Sequence, residues 1–310
     1  TWHANTVALK SQIGTTTIVK RDFSLLCRKV SPAELESSID FTMPPKVALA
    51  AEHDGYLLRA APVAADQQML ARCGDFVVYV PYIFDRYLAN LKQSFESYQA
   101  KFSSKTRSTL NRKVRKFATF CGGTVDFRIY RSVPETSEFY RHARAVSYKS
   151  YQERLLAVGL PDSAEFREQL EGLAAADAFR GYLLFHRESP VSYLYLSGHG
   201  GTLDYHHLGF DPDYADWSVG TILHWKAVES LCAERRFGIL DFDEGGGFHK
   251  QTFGTHSYRC ANIFFLRKSP VNVGYVLSHI LTEATARLSV RILDSVGLRS
   301  KLRQFIRYRK

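Results

Sequence analysis

Beyond residue 124 the apolar positions fall into runs whose period switches between two and about three and a half, and the switches mark out a series of elements. Residues 125–130 (VDFRIY) alternate as a strand. Residues 137–156 repeat at helical spacing, and a second helix is expected over 163–176, opened by Pro161-Asp162-Ser163. Three strands follow at 181–187, 192–197 and 202–210, parted by Glu188-Ser189-Pro190 and Gly198-His199-Gly200-Gly201. Connections that short imply antiparallel neighbours. A helix over 218–235, capped by Asp216 or Ser218, comes next. A buried strand at 238–242 leads into Gly245-Gly246-Gly247, a short helix or loop, and a last strand at 258–267.

Upstream the signals are shorter. Residues 15–19 are β-branched, 56–61 form a strand after the turn His53-Asp54-Gly55, and 76–80 form an apolar strand ending at Pro81. Residues 84–91 and 104–120 read as helices, the second stopped by Gly122-Gly123. After residue 124, antiparallel strands give way to a strand–helix–strand crossover, which must be parallel and right-handed. Two parallel strands inside a mostly antiparallel sheet can splay where the crossover begins, leaving a cleft with a helix N-terminus aimed into it. The expected fold class is therefore α/β (α+β), a mixed, mostly antiparallel sheet with one splayed parallel pair.

Composition narrows the class. The chain has 310 residues, 45% hydrophobic and 23% charged, which excludes a disordered tail, a fibrous repeat and a disulfide-stapled miniprotein. No run approaches the roughly 18 apolar residues of a membrane span. The start, Thr1-Trp2-His3-Ala4-Asn5, shows no signal pattern and no initiating Met, as expected of a processed or trimmed chain. Five scattered cysteines, none spaced as CxxC, point to reduced thiols in a cytoplasmic protein without a zinc site.

The net charge of +10 is concentrated. Residues 101–116 hold seven Lys/Arg and no acid; residues 287–310 hold eight against Asp294 alone. Such clusters are either solvated helix faces or sites for phosphate, on a nucleotide, an RNA or an anionic lipid surface. In the second cluster Leu288, Ile292, Val296, Leu298, Leu302, Phe305 and Ile306 recur at helical spacing, so this C-terminal helix can pack by one face and touch a polyanion or, weakly, a membrane surface with the other.

Three segments carry a family resemblance: Ser104-Lys105-Thr106-Arg107 through Arg115-Lys116; Ser218-Val219-Gly220-Thr221; and Leu240-Asp241-Phe242 with Gly245, then His249-Lys250 and Phe253-Gly254. Over residues 76–268 the chain resembles the GNAT acyltransferase superfamily. Within it the likeness is to the CelD-type, polysaccharide-associated branch, which is related to the FemAB-type aminoacyltransferases. The resemblance implies a partial GNAT-like half over 1–123, a complete GNAT domain over 124–270 and a basic helical tail over 271–310. It also implies an acyl donor in the splayed cleft, held by Ser218, Val219, Gly220, Thr221 and Phe253. Lys250 would contact that donor or the developing negative charge, and Tyr148, Tyr151 and Arg154 would border the acceptor. The family's donor loop carries a basic residue or Gln and two small residues, whereas here Asp216-Trp217 precede Ser218 and Gly220 is the one glycine.

Elementary chemistry agrees with that placement. The first turn of a helix offers unpaired N–H groups and partial positive charge to a pyrophosphate, and Gly220 lets the backbone come close. Acyl transfer needs a proton acceptor and a donor to the tetrahedral oxyanion. Strand alternation sends His206 and His207 to opposite faces, so one of them faces the substrate, as a base near its ordinary pKa of about 6.5 or as a satisfied core histidine. Asp241, Asp243 and Glu244 end a buried strand, where they hold an incoming amine, act as base, or cap the following turn. Tyr258 is a candidate to protonate the leaving thiolate or hydroxyl. No HxxxH, HExxH, GxSxG or Walker pattern occurs, so no metal is expected.

Two enzymes fit. The first passes an acyl group from an acyl-CoA to an amine or hydroxyl of a polar small molecule or sugar by direct attack. The second takes its group from an aminoacyl-tRNA and forms an amide on a small-molecule or peptide acceptor, with Lys105, Arg107, Arg112, Lys113, Arg115 and Lys116 on the phosphate backbone. A non-catalytic RNA- or membrane-surface-binding protein is the third class, and there Lys250 is dispensable.

Overall fold

The computed structural model describes residues 2–13, 16–37, 39–150, 159–245 and 247–295. In chain order the strands and helices are β1 (His3–Ile13), β2 (Thr16–Lys29), β3 (Gly55–Pro62), β4 (Leu70–Cys73), β5 (Phe76–Tyr79), β6 (Ile83–Asn90), α1 (Phe95–Ala100), α2 (Ser104–Phe120) and β7 (Asp126–Tyr130). They continue with α3 (Val133–Lys149), α4 (Ala164–Ala175), β8 (Phe179–His186), β9 (Ser189–His199), β10 (Thr202–Phe210), α5 (Val219–Glu234), β11 (Ile239–Asp241), α6 (Phe248–Phe253), β12 (His256–Arg267) and α7 (Pro270–Ser295). Two compact units result, one from 1–84 with 259–310 and one from 85–258. In the second unit α2 packs on α5, and in the first β12 pairs with β3.

In the first unit β1 and β2 form a long antiparallel hairpin, β2 runs parallel to β3, and β3 and β5 both pair antiparallel with β12. Helix α7 packs over β1 and β2. Its His279 reaches the Tyr79 hydroxyl at 2.7 Å, beside a core of Phe23, Leu25, Leu57, Phe264 and Leu266. The sequence pattern showed only 15–19 of this hairpin. Most of β1 is exposed, so it lacks the inward apolar alternation by which a strand is read.

The second unit holds one sheet in the order β6-β11-β10-β9-β8-β7, antiparallel except for the parallel pair β10–β11. Tyr182, Leu184, Leu194, Leu196 and Leu203 face one way, against Leu110 and Phe117 of α2 and the apolar side of α5. Phe179, Leu183, Phe185, Tyr193 and Tyr195 face the other, against Phe139 of α3 and Phe166 and Leu170 of α4. Helix α2 matches its expected bounds, with Ser103 as N-cap accepting from the Thr106 N–H at 3.1 Å. Helix α3 starts earlier than expected, at Val133, because Ser132 and Glu135 form a capping box. Its expected continuation through 151–156 lies outside the described residues. The expected mixed, mostly antiparallel sheet with a parallel pair is what the unit contains.

One element is corrected outright. Residues 84–91, expected as a helix, are strand β6. Phe84, Arg86 and Leu88 point inward and Asp85 outward, a period of two that a charge at the inward position disguised. Arg86 is fully buried and grips Asp241 of β11 with two bonds, Nε to Oδ1 at 3.2 Å and Nη2 to Oδ2 at 2.5 Å.

Removing one partner of a buried pair leaves an uncompensated charge, at a cost of about 3–5 kcal/mol. Arg86→Ala is accordingly expected to lower unfolding stability by that amount in urea titration. The double replacement Arg86→Met with Asp241→Leu should recover most of it.

Candidate active site

The parallel ladder between β10 and β11 has three steps: Thr202 with Ile239, Leu203 with Leu240, and Asp204 with Asp241. There it stops, while β10 runs on to Phe210. The cause lies in Asp241. Besides holding Arg86, its Oδ1 accepts the N–H of Asp243 at 2.9 Å, and Phe242 donates its own N–H to Tyr87 of β6. The chain therefore stays with β6 and then turns through left-handed Asp243 (φ 57°) and Gly245 (φ 89°), away from β10. This is the splayed pair expected from the order of elements.

A cluster of aromatic and imidazole side chains borders the wedge on the α5 side. Tyr205 and Phe242, the first residues past the ladder, pack with centroids 5.2 Å apart. The Tyr205 hydroxyl lies 3.3 Å from Nε2 of His249 on α6, and His249 stands 4.6 Å, ring to ring, from His224 on α5. Phe253 closes the group at 4.2 Å from His224. Burial pushes the Tyr205 hydroxyl far up, so it stays protonated. Burial and then Lys250 pull His249 down to about 4. Lys101 holds α6 in place: its ammonium donates to the Thr252 carbonyl at 2.9 Å and the Gly254 carbonyl at 2.5 Å, and burial lowers it to about 8.

The opposite face carries the paired histidines, and here the expectation is corrected. A bulge between Tyr205 and His207 inserts one extra residue into β10. It puts His206 and His207 on the same side, both stacked on Tyr195 at 5.1 and 6.4 Å, instead of on opposite faces. His206 is exposed, with Nε2 2.6 Å from the Ser197 hydroxyl. Burial and then His206 pull His207 down to about 4, well below the value expected for a base.

Helix α5 begins against the part of β10 beyond its pairing with β11. A Cβ on Gly220 would stand 3.2 Å from Leu208 Cδ2 and 3.5 Å from Phe210 Cδ1, so the first turn already lies close on that strand. Ser218 at its start is left-handed (φ 56°), and its carbonyl accepts from Thr221 at 2.9 Å and Ile222 at 3.1 Å. The N–H groups of Val219 and Gly220 precede the first intrahelical bonds, which makes them available to an anion. Trp217 stacks on Phe120 at 4.0 Å, and the Lys116 ammonium sits 4.7 Å from the Trp217 ring centroid. The basic end of α2 thus lies beside the α5 N-terminus. Lys105, Arg112 and Arg115 on α2 are exposed, and Arg107 and Lys113 half-exposed.

The remaining expected residues divide. Lys250, half-buried, donates to the Glu244 carbonyl at 2.5 Å and so fastens the turn after β11. Asp241 is fully buried and paired with Arg86. Asp243 and Glu244 sit half-buried in the turn, and Tyr258 is half-buried on β12. Tyr148, 72% exposed, lines an open cavity of about 680 Å³ with Tyr140, Arg141, Arg144, Lys149 and Arg167. Tyr151, Arg154 and the basic tail over 296–310 lie outside the described residues. Among the described residues no three His, Cys, Asp or Glu side chains group as a metal site, and no helix is long and apolar enough to cross a membrane. Sequence reasoning did not single out His224 or the contact between Tyr205 and His249. An apolar helix such as α5, with one histidine among buried aliphatics, was the available signal.

Residues 104–251, from the start of α2 into α6, match the family model described as an acetyltransferase (GNAT) domain. Similar solved structures include FemX (9% identity, 86% of this chain and 88% of that one, TM-score 0.49). Others are the C-terminal domain of a putative lysylphosphatidylglycerol synthetase from Agrobacterium fabrum (10%, 77% and 72%, TM-score 0.47) and L-PGS from Bacillus licheniformis (12%, 73% and 72%, TM-score 0.47). Likeness at that level says nothing of what this chain binds. A comparison with curated proteins finds no match. The family match covers the splayed pair and the helix that begins beside it, so residues 104–251 are similar to an acetyltransferase (GNAT) domain.

Proposed function

We propose that the protein moves an acyl group from an acyl-CoA to an amine or hydroxyl of a polar small molecule or sugar by direct attack. The observation that supports this most is the ladder ending at Asp204 and Asp241, with the first turn of α5 lying on the strand beyond. That turn offers N–H groups to the donor's pyrophosphate. The carrier arm enters the wedge on the α5–α6 side, and the acceptor approaches from the side of α3 and His206.

In that arrangement the acceptor's lone pair attacks the thioester carbonyl carbon, the carbon–sulfur bond breaks, and the acceptor's proton goes to His206, the exposed member of the pair. Tyr205, kept protonated by burial, donates to the departing sulfur, and His249 holds its hydroxyl in position. The Lys250 ammonium supplies positive charge for the tetrahedral oxyanion while its bond to Glu244 keeps the turn closed. Tyr148 and the arginines of its cavity border the acceptor.

A second reading keeps the domain and changes the carrier to an aminoacyl-tRNA. The exposed cations of α2, ending at Lys116 beside Trp217, favour it.

Thermal melting separates the two. With CoA at about 100 times its Kd the folded state gains about 2.7 kcal/mol, seen as a rise in Tm. A flat response to CoA and acyl-CoAs, together with tRNA binding that weakens steeply with added salt, transfers the proposal to the second reading. Lys250→Ala is expected to lower turnover by more than about tenfold in a protein that still folds, a loss of transition-state charge stabilisation of at least about 1.4 kcal/mol. Because burial holds His207 down to about 4, His207→Gln should leave the acid limb of kcat/KM where it is, whereas His206→Gln, which removes the proposed base, should lower kcat/KM. A limb that moves with His207 instead assigns the base to that residue.

A further inference from the structure

Helix α5 buries Val219, Ile222, Leu223, Ala227, Val228 and Leu231, and one polar ring among them, His224. That ring is fully buried, and among the described residues neither Nδ1 nor Nε2 has a hydrogen-bond partner. It is enclosed by Phe253 at 4.2 Å, His249 at 4.6 Å, Phe242 at 5.5 Å and Tyr205 at 5.6 Å between centroids. Burial, and then His249 and Lys101, hold its pKa well below the ordinary value, so the ring is neutral. A neutral imidazole carries one N–H and one bare nitrogen. Burying both without partners is a net cost that a leucine of similar volume would not incur. The free protein therefore keeps a polar group that its own packing does not use, and keeps it beside the two residues where β10 and β11 part.

We propose that His224 is a binding residue for the acyl donor, its ring N–H bonding a carbonyl oxygen of the carrier arm as that arm enters the wedge. The inference rests on the acyl-carrier reading above and adds the group that meets the arm inside the protein. The ligand chemistry is that of an amide or thioester carbonyl, which an uncharged donor among aromatic rings suits once the arm has parted the packing of Tyr205 and Phe242.

CoA, whose arm carries amide carbonyls, is a sufficient probe. The expected result for His224→Leu is a Tm without ligand equal to or above that of the unsubstituted protein, and CoA affinity by calorimetry weakened about tenfold. That factor is one buried hydrogen bond at about 1.4 kcal/mol per decade. His224→Gln, which restores an N–H, should recover part of the affinity. CoA binding unchanged in His224→Leu overturns the proposal. So does a fall of several degrees in the unliganded Tm, which would mean that the ring is already satisfied. An unsubstituted protein that itself fails to bind CoA removes the acyl-CoA reading and this inference together, an outcome distinct from a defect confined to the variants.

Discussion

The contact between Arg86 and Asp241 organises the second unit. Both groups are fully buried, on neighbouring strands, and a bidentate guanidinium–carboxylate pair has little angular freedom. Asp241 is also the last residue of the parallel ladder and the acceptor for the N–H that begins the next turn. One carboxylate thus anchors β11 to β6 and bends the chain away from β10. A parallel pair left to itself continues until its residues run out. This one ends after three steps because the carboxylate has been claimed from the other side.

What the opening exposes depends on a second local event, the bulge in β10. Before it, residues alternate normally: Leu203 and Tyr205 face the α5 side. After it, His206 and His207 both face the side of α3 and α4, and Leu208 returns to the α5 side. One extra residue therefore sorts the titratable groups into two environments. The α5 side holds a protonated phenol and two neutral imidazoles in an aromatic enclosure. The other holds an exposed imidazole beside a buried one of depressed pKa. A carrier and an acceptor that approach a sheet from opposite faces call for such a division, because a leaving group requires a proton donor where an attacking amine requires a proton acceptor.

The same unit spends its other buried charges on structure. Arg180, almost fully buried, is held by Glu234 and by Asp177, which also accepts from Arg236, and this network pins the end of α5 to β8. Lys101 bonds the last carbonyls of α6, as a cation at a helix C-terminus does. These groups have their partners. His224 has none among the described residues.

Much of the second unit was legible from the chain alone. The bounds of α2 and β10, the three antiparallel strands and the crossover through α5 all rest on apolar periodicity and on short glycine-rich turns, which are local properties of consecutive residues. The parallel pair and its splay followed from connectivity, since a strand–helix–strand unit has one hand. Tertiary structure alone decided the rest. Strand β6 hid behind Arg86, because a charge at an inward position breaks the alternation until its partner, 155 residues away, is in place. The side taken by His207 turned on one inserted residue, which no periodicity announces. The isolation of His224 is a property of everything packed around it, and a missing hydrogen bond has no sequence pattern: local order is written in neighbouring residues, whereas partnership between distant ones exists only once the chain has closed upon itself.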